Sequence, residues 1–243
     1  MTPRVKTPAS RSGDGRSTRW SEHRESRRAE LVAAAVTAID EHGPAASIAE
    51  IAASASVSKP VLYRYFADKD DLYRAVGQWG AGEVMDAVVP ALLADRPMRD
   101  NVYGACDAYV ALLAQHPQVF LLLIEHRSTD DPIADGKEQI ATSLAKLMGD
   151  TLRRLGVDAA AAEPWAHGVI GMGLAVGEWW LRRDIMSREA TAEYLAAFLW
   201  NAFSGFVADH GVELDGAGRL RLVEPPAGTP APASTTRSRR KDA

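Results

Sequence analysis

Between about residues 21 and 222 the apolar residues of this chain recur at spacings of three and four, and no stretch alternates apolar with polar as a half-buried strand requires. The pattern predicts nine helices. The first covers about 22–41, with Leu31, Ala35, Ala38 and Ile39 on its apolar stripe and Gly43 ending it. The second opens at the S-x-x-E capping box of Ser47 and Glu50 and ends near Ala55. Ser58 caps a third, with Pro60 in its first turn, where a missing N–H costs nothing. Asp68 caps a fourth that runs to about Pro90. Five more follow at about 98–115, 117–127, 133–155, 159–183 and 187–210, with breaks at His116-Pro117, Asp131-Pro132, Gly156 and Gly211. The expected fold is all-α.

The ends differ from this middle. Residues 1–20 are rich in Ser, Thr, Gly, Pro and Arg and read as a disordered basic arm; 223–243 are rich in Pro, Ala, Ser and Thr and read as a disordered tail. No run approaches the roughly 18 apolar residues that span a bilayer, and the first twenty residues have no apolar core of a secretory signal. The single cysteine, Cys106, allows no intramolecular disulfide and points to a reducing compartment, so the expectation is a cytoplasmic protein with no membrane partner. Residues 1–70 carry 11 Lys and Arg against 9 Asp and Glu, while the remainder carries 17 against 23. A polyanion would therefore meet the first seventy residues.

The stretch "SIAEIAASASVSKPVLYRYF", residues 47–66, holds two helix starts within twenty residues. Helix, sharp turn and helix at this length is the helix-turn-helix arrangement, whose second helix lies in the DNA major groove. Ser58 and Lys59 stand at the positive end of that second helix, and Tyr63, Arg64 and Tyr65 follow within two turns. Ile48, Ile51, Ala52, Val57, Leu62 and Phe66 would form the small core that sets the angle between the helices. Spacing alone leaves a second reading open: two short helices of another α-helical domain, with solvated Lys and Arg.

The longer run "SIAEIAASASVSKPVLYRYFADKDDLY" resembles the DNA-binding signature of the TetR/AcrR family of bacterial transcriptional regulators. The likeness lies in the Ile-Ala pair at 51–52, Ala55, Val57-Ser58-Lys59, Leu62-Tyr63, Phe66, Lys69 and Leu72-Tyr73. The first helix, "HRESRRAELVAAAVTAIDEHG", fits as well. Two positions depart from the family pattern: Ser56 stands where the turn usually carries Gly, and Tyr65 where His is frequent. The resemblance implies a helix-turn-helix domain over 21–67 and a helical ligand-binding and dimerisation domain over 68–222. It implies DNA contacts from Ser47, from Lys59, Tyr63, Arg64 and Tyr65, and from Lys69, with Arg24, Arg27 and Arg28 neutralising flanking phosphates. Ser58 joins this set at the helix start. Arg64 and Lys59 are the candidates for reading bases, and Pro60 and Val61 for touching a thymine methyl.

Two further features concern the body. "GVIGMGLAVGEWWL" and "YLAAFLWNAFSGFV" carry more apolar residues than one buried stripe needs, which suggests that two faces are covered. A four-helix interface between two copies would use Gly168, Gly171, Gly173 and Gly177 for close approach and Trp179, Trp180, Phe198, Trp200 and Phe206 for buried area, with Gly173, Gly177, Trp180, Phe198 and Phe206 at its centre; the other reading makes these the central helices of a monomer. A twofold dimer would present its recognition helices to successive major grooves of a palindromic operator. Trp79, Met85, Tyr103, Tyr109, Phe120, Leu123, Trp165 and Met172 are candidates to line an apolar ligand pocket, with His126 at its polar end, or else are ordinary core. "QVFLLLIEHR" and "WWLRRDIMSREATAEYL" resemble TetR-type regulators of fatty-acid and acyl-CoA metabolism; planar aromatic drugs suit the same walls.

An enzyme is the rival class. The chain has no HExxH, no ExxH pair, no Gly-rich phosphate loop after a strand and no GxSxG elbow. A single cysteine builds no thiolate metal site, and neither metal nor cofactor is expected. The expected function is a ligand-responsive, homodimeric repressor that binds double-stranded operator DNA and is released by a small apolar molecule. The alternative is a helical ligand-binding protein that has lost specific operator binding.

Overall fold

The computed structural model describes residues 14–125, 134–209 and 211–222, with side chains described throughout these spans except for 14–21 and Glu125. Nine α-helices follow in order among the described residues: α1 (Asp14–His42), α2 (Ile48–Ser54), α3 (Lys59–Leu62), α4 (Lys69–Leu92), α5 (Met98–Gln115), α6 (Pro117–Glu125), α7 (Ala134–Arg154), α8 (Ala162–Arg183) and α9 (Arg188–Asp209). The fold is all-α, and no single described helix is long and apolar enough to cross a membrane. Helix α1 starts at Asp14, eight residues before the expected start, so its first turns occupy part of the stretch assigned to the basic arm. The rest of that arm and the tail 223–243 lie outside the described residues.

Local chemistry accounts for the compact N-terminal elements. Leu31, Ala35, Ala38 and Ile39 are buried along one face of α1. The capping box forms as expected: Ser47 Oγ accepts from the Glu50 N–H at 3.3 Å, and Glu50 Oε2 accepts from the Ser47 N–H at 2.7 Å. Ser56 carries the turn at φ 53°, in the left-handed region that favours glycine. Helix α3 is a single α-turn, continued to Phe66 by bonds from Arg64 N to Val61 O and from Tyr65 N to Leu62 O. Asp68 caps α4 by accepting from the Asp71 N–H at 2.7 Å.

In the body, α4 packs on α5 and α7, α5 on α9, and α7 on α8. Two glycines let α7 press against α4: a Cβ added at Gly136 would stand 2.7 Å from the Gly77 carbonyl oxygen. Helix α6 is apolar on more than one side and uses each. Its Val119 and Leu122 enter the N-terminal core beside Leu31, Ile39, Leu72 and Val76, while Phe120 and Ile124 pack with Leu113 in the body. The small N-terminal core is thus closed by a helix from the C-terminal part.

One expectation is overturned. Val212–Leu214 and Leu220–Leu222 form an antiparallel hairpin, β1 and β2, where no strand was expected. Each strand is three residues long, too short for alternation to stand out, although Asp215-Gly216 supplies a turn signal between Val-Glu-Leu and Leu-Arg-Leu. Val212 is buried against the end of α7, and the Gly218 carbonyl accepts from the Met98 N–H at 2.9 Å.

Candidate nucleic-acid interface and internal cavity

The recognition turn is held from behind by one arginine. Arg28 on α1 donates through one nitrogen to the Tyr65 carbonyl and through the other to Asp71 Oδ1 at 2.9 Å, and its guanidinium lies 4.3 Å from the Phe66 ring centroid. Asp71 also accepts from the Ala67 N–H at 3.0 Å. The Arg28 guanidinium beside it, aided by that backbone bond, holds the Asp71 carboxyl below the usual carboxylate range. One side chain therefore ties α1 to the end of α3 and the start of α4.

With its rear fixed, the turn exposes Ser58, Lys59, Pro60, Tyr63 and Arg64, while Val61 and Tyr65 are half-buried. The Tyr65 ring packs on the N-terminal core, so it offers less to an outside partner than its neighbours do. Ser58 occupies the N-cap position of α3 in extended conformation but makes no side-chain cap bond, contrary to the expected capping role. Arg24 is exposed, Arg27 pairs with Glu30, and Lys69 Nζ lies 4.9 Å from the Tyr73 ring centroid. Of the three arginines expected at flanking phosphates, Arg28 is the one committed inside the chain. Its carbonyl partner is 37 residues away, which the local pattern of basic residues does not reveal.

A partly open cavity of about 500 Å³ lies in the body among α4, α5, α6, α7, α8 and α9, with the hairpin at its edge. Of the candidate pocket residues, Tyr109, Phe120, Leu123 and Trp165 line it. Trp79, Met85, Tyr103 and Met172 do not. Trp79 packs toward the N-terminal core and meets the His116 ring edge-on, centroids 5.1 Å apart, whereas Tyr103 and Met172 pack beside Val110 and Leu195. His126 lies outside the described residues. Cys106 is a wall residue whose thiol is pushed up to about 12 by burial, and burial raises Tyr109 as well. Such a thiol is inert at neutral pH. Polar groups at the walls are few and include Asn101, Arg96, Arg154 and Arg219, none of which the apolar pattern singled out. Among the described residues no cluster of His, Cys, Asp or Glu is placed to hold a metal ion.

The residues expected at an interface between copies divide. Gly173 faces Tyr109, and a Cβ at Gly177 would stand 2.8 Å from Leu113 and Phe120, so both glycines serve the approach of α8 to α5 and α6. Trp180 turns inward and donates from Nε1 to the Met186 carbonyl at 2.9 Å, bracing the α8–α9 turn. Phe206 packs against Trp165, the rings tilted by 51° with centroids 5.0 Å apart. Phe198 points out, 66% exposed. Another part of the expected set lies on an apolar face left open. Gly168, Gly171, Ala175 and Trp179 line one exposed stripe of α8, and Tyr194, Phe198 and Gly205 one of α9. A Cβ added at Gly168, Gly171 or Gly205 would meet nothing within 4 Å.

Comparison with known proteins covers both halves of this architecture. The profile of "Bacterial regulatory proteins, tetR family" matches residues 31–76, and that of "Tetracyclin repressor-like, C-terminal domain" matches residues 87–213. An uncharacterised HTH-type transcriptional regulator of Mycobacterium tuberculosis is 34% identical over 201 residues, covering 82% of this chain and 86% of that one. The HTH-type transcriptional activator FasR of Mycolicibacterium smegmatis is 29% identical over 185 residues, 74% of this chain and 84% of that one. In fold, the chain is similar to a TetR-family transcriptional regulator from Streptomyces coelicolor, with TM-score 0.61 at 23% identity over 77% of this chain and 86% of that one.

Proposed function

The chain belongs to the TetR family of DNA-binding helix-turn-helix transcriptional regulators, and from that premise we propose that it is a homodimeric repressor released from a palindromic operator by a small apolar ligand. The observation that carries this reading is the position of α6. It contributes Val119 and Leu122 to the core behind the recognition turn and presents Phe120 and Leu123 to the cavity. A ligand that displaces the second pair moves the first. Head and body then respond as one two-state element, with the ligand favouring the state that spreads the heads.

In this reading residues 21–67 form the DNA-binding head and 68–222 the sensing and dimerising body. Lys59, Tyr63 and Arg64 face the groove, with Arg64 reading a base and Lys59, Arg24 and Lys69 supplying phosphate contacts. Ser47 and Ser58 offer hydroxyls to the backbone, and Pro60 and Val61 an apolar contact. The exposed stripes of α8 and α9 meet the same stripes of a second copy, with Gly168, Gly171 and Gly205 allowing the close approach. The cavity suits an acyl chain or an aromatic drug-like molecule by size and lining. Activation rather than repression is the second reading, favoured by the activator role of the Mycolicibacterium relative.

The test is retention of fragmented genomic DNA by the purified protein at about 150 mM salt, where non-specific phosphate binding is weak. A few enriched palindromic sites, absent with an Arg64→Ala/Tyr63→Ala variant, are expected. Diffuse retention equal in both proteins rejects operator recognition and favours a ligand-binding protein whose head only adheres to phosphate.

A further inference from the structure

Helix α1 is longer than the head requires. It runs for 29 residues, Asp14–His42, yet its first buried residue is Leu31. Two contacts fix its direction. Near its end it meets the body through the Asp40–His116 pair, and at Arg28 it is tied to the Tyr65 carbonyl and Asp71 behind the recognition turn. The fourteen residues before Arg28 therefore continue past that turn, away from the body, for about 21 Å at roughly 1.5 Å per residue. Residues 22–26 are all exposed, and their side chains make no hydrogen bond or ion pair among the described residues. A polar helical segment without packing is marginal in water, so a surface that holds it has to come from outside.

Charge is sorted around this segment. At about 100° per residue, Arg16, Arg19, His23, Arg24 and Arg27 occupy positions on one side of the axis, while Asp14, Glu22 and Glu25 occupy positions on the other. Double-stranded DNA carries one negative charge per about 1.7 Å of its axis, so about 21 Å of duplex presents about a dozen phosphates. We propose that the N-terminal extension of α1, residues 14–27, lies along the DNA backbone beyond the segment read by α3, with Arg16 and Arg19 each neutralising a phosphate. The inference rests on the head being the DNA-binding part, and operator specificity does not enter it. Phosphate contacts carry no sequence information, so the extension adds affinity and lengthens the duplex covered without narrowing the choice of site. The acids on the other side set its roll, because turning them inward would place carboxylates against phosphates.

A non-palindromic duplex of about 30 base pairs reads these contacts without an operator, by titration of the full chain between about 50 and 200 mM salt. Two phosphate contacts correspond to about 1.8 in the slope of log affinity against log salt, so Arg16→Ala/Arg19→Ala should lose on the order of tenfold less affinity over that range than the natural chain. Glu22→Gln/Glu25→Gln should leave the slope as it is, which separates contacts from overall charge. Both variants should melt with the natural chain, since these positions precede the buried face of α1. An unchanged slope for Arg16→Ala/Arg19→Ala overturns the proposal and leaves operator recognition to the genomic retention experiment. An unchanged slope with altered sedimentation overturns it in favour of a second copy as the partner of the extension. Failure of the natural chain to bind the duplex at any salt overturns the extension and the head together.

Discussion

Nδ1 of His116, at the break between α5 and α6, lies 2.7 Å from Oδ2 of Asp40 near the end of α1. The pair joins the N-terminal helix to the helix that touches the cavity, and the Trp79 ring closes over the imidazole edge-on. Both side chains are more than two-thirds buried. A double-mutant cycle with Asp40→Ala and His116→Ala should give a coupling of about 1 kcal/mol in unfolding free energy. Strictly additive single effects would show that the contact carries nothing between the two parts.

Asp71 supplies a pH dependence of known sign. Its carboxyl is held low in the folded chain, first by the hydrogen bond from Arg28, so the unfolded chain takes up that proton at the higher pH. The stabilisation is complete above the ordinary carboxylate value of about 3.9 and is lost as pH falls through the folded value. Urea unfolding between pH 7 and pH 3 should show a smaller loss of stability in Asp71→Asn than in the natural chain. An equal loss would place the acid-sensitive groups elsewhere.

Lys59 and Arg28 should behave differently toward DNA although both are basic residues of the head. Lys59 is exposed, and its change to Ala should lower the slope of log affinity against log salt by about 0.9, one phosphate contact. Arg28 is occupied by Tyr65 and Asp71, and its change to Ala should leave the slope intact while lowering the melting temperature of the protein. A full unit of slope lost with Arg28→Ala would mean that it leaves its internal partners for phosphate.

The glycines of α8 also separate into two groups. Gly177→Ala drives a methyl into Leu113 and Phe120 and should destabilise the chain by about 1–3 kcal/mol in thermal unfolding. Gly171→Arg meets open space within the chain and should leave the monomer folded, while shifting sedimentation from dimer to monomer. A variant that remains dimeric moves the interface off this stripe.

Ser56→Gly should raise stability by about 0.5–1 kcal/mol, since a left-handed φ penalises any residue with a Cβ. Denaturant midpoints of the two proteins give the measurement. No gain would indicate that the Ser56 side chain compensates for its backbone.

Much of the fold was legible because helices announce themselves locally. Periodicity and punctuation placed the helix boundaries from α5 to α9 close to where they lie, and the Ser47–Glu50 box formed as read. The hairpin escaped because three residues are too few for a period. The site was legible where exposure follows from position in a motif, as with Lys59, Tyr63 and Arg64. Arg28 was not, because an arginine that grips a carbonyl and a carboxylate looks in sequence like one that grips a phosphate. Gly173 and Gly177 share a helix with Gly168 and Gly171, and only tertiary packing decides which pair turns inward. Asn101 gave no signal because its partners are backbone carbonyls, Leu92 at the end of α4 and Ala94 in the turn that follows.

The entry of Val119 and Leu122 into the N-terminal core has a consequence for engineering. A head cut at residue 67 and grafted onto another sensor would arrive with part of its interior uncovered. New specificity is better installed by substituting Tyr63 and Arg64 within the intact chain than by trading heads between chains. For the same reason the two halves of such a protein are constrained to diverge together, since each repacking of α6 toward the cavity is felt beneath the recognition turn.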